Sequence, residues 1–153
     1  MVFTVTSEIK YNDNGLKDVL EACKELSKTL RVGIFGQPEE ATKAFNNEFG
    51  FITDTGNLVP ARSNLYMPLE VCSNDIVESG RKQLKEITKE SAKSALNEMG
   101  EESLKAINDS FESRGFFTWE DNAQYTIAMK GKDTPLIDTG KLKKSYSYEI
   151  VGG

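Results

Sequence analysis

The chain has 153 residues, 38% of them hydrophobic, and sets 24 acidic against 19 basic side chains for a formal charge of −5, with no histidine. That length supports one substantial core, so a single domain over 1–153 is expected. The acidic balance argues against a specific nucleic-acid binder, which needs clustered Lys and Arg, and the lack of histidine removes the commonest general base near neutral pH and the commonest metal ligand.

Val2, Phe3, Thr4, Val5 and Thr6 are β-branched or aromatic and read as a short first strand, which Asn12-Asp13-Asn14-Gly15 breaks. Leu16, Val19, Leu20, Cys23, Leu26 and Leu30 then recur at steps of three and four, which predicts a surface helix packed on a sheet, capped by Asp13 or Asn14. Leu30 to Gly36 reads as a second strand. Its GxxG spacing lacks the lysine and hydroxyl residue of a phosphate loop. Pro38 to Asn47 predicts a short helix, with proline and two acids in its first turn. Phe51-Ile52-Thr53 and Leu58-Val59-Pro60 flank the turn Asp54-Thr55-Gly56-Asn57, a hairpin or extended loop.

Pro68 is suited to open a helix. From there Leu69, Cys72, Ile76, Gly80, Leu84, Ile87 and their successors to Ser110 follow one helical face, predicting one long helix that Gly80 or Gly100 kinks or divides. Small residues at Gly80, Ser91, Ala92 and Ala95 would let another element approach closely, and Glu78–Lys82, Lys82–Glu86 and Glu101–Lys105 are spaced as solvent-facing pairs. Cys23 and Cys72, on apolar helical faces and outside any CxxC pair, read as buried free thiols.

Ser113-Arg114-Gly115 ends the helical block. Phe116, Phe117 and Trp119 follow without periodicity, either tucked over the core or kept as a sticky surface for a partner. Extended loops are expected at about 49–67 and 113–144. Between Lys130 and Lys144, the lysines Lys130, Lys132, Lys141, Lys143 and Lys144 outnumber Asp133 and Asp138, a local positive patch suited to steering an acidic partner. Asp138-Thr139-Gly140 reads as a turn, and Ser145, Ser147 and Glu149 then alternate with Tyr146, Tyr148 and Ile150 as a strand with two unlike faces.

Asp-Thr-Gly occurs twice, at Asp54 and at Asp138, as in aspartic proteases. In those enzymes the triplet is followed by Ser, Ala or Thr, whereas Asn57 and Lys141 follow here, and a helical block separates the two where β-structure would be needed. Turn chemistry accounts for both. No nucleophile with a base, acidic metal cluster or dinucleotide fingerprint is recognisable, so a non-enzymatic role without cofactor or metal is expected. No apolar run approaches the roughly 18–20 residues that cross a bilayer, and the N-terminus lacks the pattern of a leader, so a soluble protein made in a cytoplasm is expected.

Five stretches, in order, resemble the tail-completion or virion-morphogenesis family of tailed bacteriophages: Arg31-Val32-Gly33-Ile34, Asn47-Glu48-Phe49-Gly50, Val59-Pro60-Ala61-Arg62 with Leu65 and Pro68, Thr126 to Gly131, and Pro135 to Leu142 with Ser145 and Tyr146. Ser63 stands where the family often has a second proline, Asn64 where it often has an aromatic, and 54–58 looks like an insertion. The resemblance implies an α+β fold, a small, mainly antiparallel sheet covered by one long helix and one or two shorter ones. It also implies a neck protein of the virion, made in the host bacterial cytoplasm, that caps the tail or joins it to the head, often as a ring of about six subunits. Its partners would be its own copies, the terminator or tail-tube protein and the head-side connector proteins.

Glu48, Phe49, Arg62, Phe117, Trp119, Lys130, Asp138, Lys141, Lys143 and Lys144 are the candidate interface residues. Asn47, Glu48 and Arg62 could equally fix loop geometry by hydrogen bonds to backbone. Two other roles stand beside the neck reading: a tail terminator or head-side connector of the same virion, and a cellular binding module or toxin-related protein with the same fold.

Overall fold

The computed structural model describes residues 14–131, 133–136 and 140–152. The strand expected at Val2–Thr6, the cap at Asp13, and Lys132 and Asp138 of the C-terminal patch lie outside them.

In chain order the elements are α1 (Asn14–Leu26), β1 (Thr29–Gly33), α2 (Pro38–Phe49), β2 (Phe51–Ile52), β3 (Leu58–Val59), α3 (Tyr66–Val71), α4 (Ser73–Gln83), α5 (Lys89–Glu112), α6 (Gln124–Lys130), α7 (Lys141–Ser145) and β4 (Ser147–Val151). The architecture is α+β. The long helix α5 packs on a two-stranded antiparallel sheet in which Thr29 faces Val151 and Gly33 faces Ser147. Arg31 and Glu149, opposite in the register, are ion-paired at 2.8 Å. A minimal hairpin joins β2 to β3, closed by the turn at 53–57, where the Thr53 N–H donates to the Asn57 carbonyl.

The helical block does not run unbroken from Pro68. It is interrupted at Cys72, stops at Leu84, clear of either glycine, and restarts after Thr88, where the chain folds back. A reciprocal capping box fixes the restart: the Thr88 hydroxyl accepts from the Ser91 N–H at 3.1 Å, and the Ser91 hydroxyl accepts from the Thr88 N–H at 3.0 Å. Gly80 then serves packing, since a Cβ there would come within 2.7 Å of the Met99 side chain and 3.2 Å of the Ala95 carbonyl. Small residues thus let α4 lie close on α5. Pro68 is the third residue of α3 and not the start of a helix. The ion pairs also differ by one residue from the expected spacing: Arg81 meets Glu78 and Lys105 meets Glu102, both at i,i+3.

Helix α1 lies against α5 with Ala22 and Glu25 buried, and this corrects the expected face. Its apolar stripe is turned outward, with Leu16 at 65% and Leu20 at 55% exposure. Cys23 shares that outward face, so it is an exposed thiol and not a buried one, while Cys72 is half-buried with its thiol pKa raised chiefly by burial. Alanine permits the closest helix approach, and Lys28, 2.6 Å from Glu25, compensates the acid carried beneath.

The core sits at the other end of α5, where Ile107 and Phe111 meet Trp119, Leu142 and Tyr146, with Val32, Ala44, Leu65 and Leu69 packed against them. Phe111 meets Trp119 edge to face at 5.5 Å between centroids. Gly100, mid-helix, faces Tyr148 of β4; a Cβ there would lie 2.5 Å from the ring. Glycine costs the helix about 1 kcal/mol relative to alanine, and close sheet-to-helix contact offsets it. The alternation expected from Ser145 begins later, because Ser145 closes α7, and every residue of β4 is half-buried.

Candidate functional site

Two of the five stretches quoted above, 47–50 and 59–68, meet Trp119 and Tyr146 in one bonded cluster. Glu48, at the end of α2, reaches across to the loop before α3. One carboxylate oxygen accepts the backbone N–H groups of Asn64 at 2.7 Å and Leu65 at 2.9 Å, and the other accepts the Ser63 hydroxyl and the Tyr66 N–H. A carboxylate can satisfy this many donors, and those of a helix start have no partner within the helix. Glu48 is therefore a remote cap. The Ser63 hydroxyl passes the arrangement on by accepting from the Met67 N–H at 2.9 Å.

Arg62 is buried and donates from Nε to the Glu120 carbonyl at 3.0 Å and from Nη2 to the Asp121 carbonyl at 2.9 Å. Burial lowers its pKa, yet a guanidinium stays charged. Its own N–H donates to the Asn47 carbonyl at 2.6 Å. Asn64, fully buried, donates to the carbonyls of Ala44 and Arg62, both at 3.1 Å, and accepts the Tyr146 hydroxyl. The Trp119 indole N–H donates to the Ser63 carbonyl at 3.1 Å. Of the two expected roles, these contacts carry the geometric one for Glu48 and Arg62, while Asn47 enters the cluster through its backbone carbonyl. Ser63 and Asn64, the departures from the family pattern, are integral to the cluster. Burial, and to a lesser extent the nearby Glu48 charge, raises the Tyr146 pKa well above the ordinary phenol range.

Gly50 makes the entry to the hairpin possible. Its φ is +72°, and a Cβ there would lie 2.8 Å from the Val59 carbonyl oxygen and 2.9 Å from the Ala61 nitrogen.

No known family model, curated protein or solved structure matches this chain. What the site can do therefore rests on its own geometry.

Beside the cluster, between α2 and the loop 63–66, lies a groove of about 680 Å³ walled by Ile34, Ala44, Phe45, Phe49, Leu65 and Tyr66. Glu48 is the one acid in its lining, and the loop's donors occupy its carboxylate. Phe45 and Phe49 meet at a tilt, 4.9 Å between ring centroids, on the exposed rim. Such a surface binds apolar side chains. A smaller polar cavity lies between Glu40, Lys43, Arg62 and Lys141. Glu40, 2% exposed, takes Lys43 at 2.8 Å and Lys141 at 3.2 Å; the Lys43 bond, against the effect of burial, holds its pKa below the usual carboxylate range.

The aromatic segment divides. Trp119 is core and not a contact surface, whereas Phe117 is 90% exposed. Arg114, Gly115, Phe116 and Phe117 all have positive φ, between 50° and 68°, a run of left-handed residues at the end of α5. Each of the three that are not glycine costs about 1–2 kcal/mol in that conformation. The turn is held from several sides. The Phe117 N–H donates to the Ser113 carbonyl at 2.9 Å and the Trp119 N–H to the Arg114 carbonyl at 3.0 Å, and the Arg114 guanidinium bridges Asp121 and Asp133 at 2.7 and 2.9 Å. Only glycine fits at 115, because a Cβ would fall on the Trp119 indole. The Asn122 N–H, ahead of Arg114, lowers the Asp133 pKa against the effect of burial. No sequence signal beyond Gly115 announced this turn. The rest of the expected 113–144 loop is partly helical, with α6 exposing Tyr125 and Met129 one turn apart.

The basic patch is more neutralised than its lysine count implies. Lys141 meets Glu40, and Lys143 meets Glu112 at 2.7 Å, while Lys144 is exposed. Lys130 closes α6, and its side chain lies outside the described residues.

Among the described residues no group of three or more Cys, Asp or Glu side chains is placed to hold a metal, and no helix is long and apolar enough to cross a membrane.

Proposed function

We propose that the chain is a non-enzymatic structural protein of a tailed-phage virion that completes the tail and joins it to the head, working as a ring at the neck. One observation carries the reading: Asn47-Glu48-Phe49-Gly50, the stretch from Val59 to Pro68, and Tyr146, which supply the family resemblance, are bonded to one another around Asn64 and frame an apolar groove. Residues that shape a loop and leave aromatics exposed suit assembly better than chemistry. The partners would be other copies of the chain, the tail tube or terminator on one side and the connector proteins on the other.

Electron microscopy of a lysate from the phage carrying an early stop codon in this gene tests the proposal. Filled heads beside complete, unattached tails are expected. Tails of uncontrolled length would assign the protein to the terminator position, and normal infectious particles would overturn the virion role.

A further inference from the structure

We propose that the polar cavity between α2, the 59–62 segment, α6 and the start of α7 binds a small oxyanion of the phosphate or dicarboxylate class, held by the buried Arg62 guanidinium and by Lys43. The inference goes beyond the neck reading and does not depend on it.

Arg62 is 6% exposed, and a charge buried to that extent needs a partner of opposite sign. Among the described residues no carboxylate is paired with it. Nε and Nη2 each donate to a backbone carbonyl, at 3.0 and 2.9 Å, and a carbonyl carries no net charge. A guanidinium has five N–H donors, so the two on Nη1 and the second on Nη2 are left, an end-on fork of the kind that grips carboxylate and phosphate. The nearby acids do not supply the missing charge. Asp121 and Asp133 are bridged by Arg114, Glu120 is exposed, and burial, the largest influence, lowers the Arg62 pKa despite all three.

The rest of the cavity has the same sign. Its lining sets Arg62, Lys43 and Lys141 against the single acid Glu40, a local charge of +2 in a chain of −5. Lys43 gives one of its three ammonium donors to Glu40 at 2.8 Å and is otherwise exposed. Asn122 adds a neutral donor, because its Nδ2 is buried and has no hydrogen-bond partner. That amide lies near the Asp133 carboxylate but short of hydrogen-bond geometry, and adds less to lowering the acid's pKa than the Asn122 N–H or Arg114 does. An oxyanion oxygen is the acceptor such a buried donor lacks. The volume, about 340 Å³, equals about ten waters at ~30 Å³ each, room for an anion the size of phosphate or succinate. The larger apolar groove next to it has no cation in its lining, so the anion belongs in this cavity.

Thermal unfolding of the purified full chain in inorganic phosphate and in succinate, each against sodium chloride of equal ionic strength, tests the site. A Kd of about 1 mM is expected, so that 10 mM of the preferred anion raises the Tm by about 3–6 °C over the chloride control. The larger of the two rises names the ligand class. Lys43→Gln takes an exposed charge from the lining and leaves Glu40 with Lys141; binding about tenfold weaker should cut the rise to about 1–2 °C. Arg62→Lys keeps the charge but not the fork and should abolish the rise. The near-UV signal of buried Trp119 reports whether each variant is folded, and Lys43→Gln tests the site even if Arg62→Lys is not. The proposal fails if neither anion raises the Tm beyond the chloride control at 10 mM. It fails equally if a folded variant responds as the natural chain does, since the stabilisation would then be a general effect of anions on the protein surface.

Discussion

Replacing Glu48 by alanine tests the reasoning that a distant carboxylate, and not local sequence, holds the loop before α3. The substitution removes the acceptor for the N–H groups of Asn64, Leu65 and Tyr66 and for the Ser63 hydroxyl. Tyr66 is exposed, so water can replace the carboxylate there, and the Ser63 hydroxyl can rotate. Asn64 is fully buried and Leu65 half-buried, so their two N–H groups are the ones stranded. At about 1–3 kcal/mol for each buried donor left unmade, the expected loss is about 3 kcal/mol. For a chain of this length that is a fall in Tm of about 6–12 °C, within the total stability of about 5–15 kcal/mol, so the variant still folds. Urea unfolding followed by circular dichroism measures the loss. Glu48→Gln, which keeps one acceptor oxygen, should fall between. A loss under about 1 kcal/mol for the alanine variant would mean that water serves the loop as well as the carboxylate does, and the cluster would lose its structural role.

Tyr146→Phe deprives the buried Asn64 side chain of its hydroxyl donor and should cost about 1–2 kcal/mol at neutral pH. Because the folded-state pKa of Tyr146 is raised, its contribution is intact below the unfolded value near pH 10 and declines above it, by about 1.4 kcal/mol per pH unit; urea midpoints between pH 9 and 11 should show that this part of the decline is missing in the phenylalanine variant. Gly100→Ala gains about 1 kcal/mol of helix propensity but drives a methyl into the Tyr148 ring, a clash of about 1–3 kcal/mol, so a small net loss is expected, and a higher urea midpoint would mean that the ring moves aside freely. Lys144→Glu should leave thermal unfolding within about 2 °C of the natural chain, whereas Lys141→Glu sets a second carboxylate against buried Glu40 and should lower the Tm. Equal scans for the two would show that the Lys141–Glu40 contact is without consequence.

Helices α1, α2 and the end of α5 were legible in the sequence because period and punctuation are local properties, and they fall near where Leu16, Pro38 and Ser113 place them, although the stripe expected to reach Leu30 stops at Leu26 and Leu30 lies in β1. What covers a helix is not local. The stripe from Leu16 to Leu26 is a correct reading of a face and an incorrect reading of its burial, because Ala22 offers α5 a closer approach than leucine would. The break between α4 and α5 was missed although Thr88 and Ser91 carry the capping pattern, since an uninterrupted apolar period outweighed it. The bonded cluster joins distant positions, such as Glu48 with Asn64, 16 residues apart, and Asn64 with Tyr146, 82 apart, and no periodicity reports such pairs. The aromatic segment could be read as core or as surface. It is both, because a single left-handed turn sends Trp119 inward and Phe117 outward.

Pairing of Thr29–Gly33 with Ser147–Val151 brings together strands more than a hundred residues apart. Closing so long a loop costs more chain entropy than forming contacts between sequence neighbours, by about 0.6 kcal/mol for each doubling of length. The α4–α5 hairpin has no such delay, so the expected order of events is the hairpin first and the sheet last. During synthesis on the ribosome, the notch that Gly100 leaves in α5 then stays uncovered until Tyr148 has been made. Strand β4 thus acts as the latch of the fold, and loss of a few residues there would undo contacts to both β1 and α5.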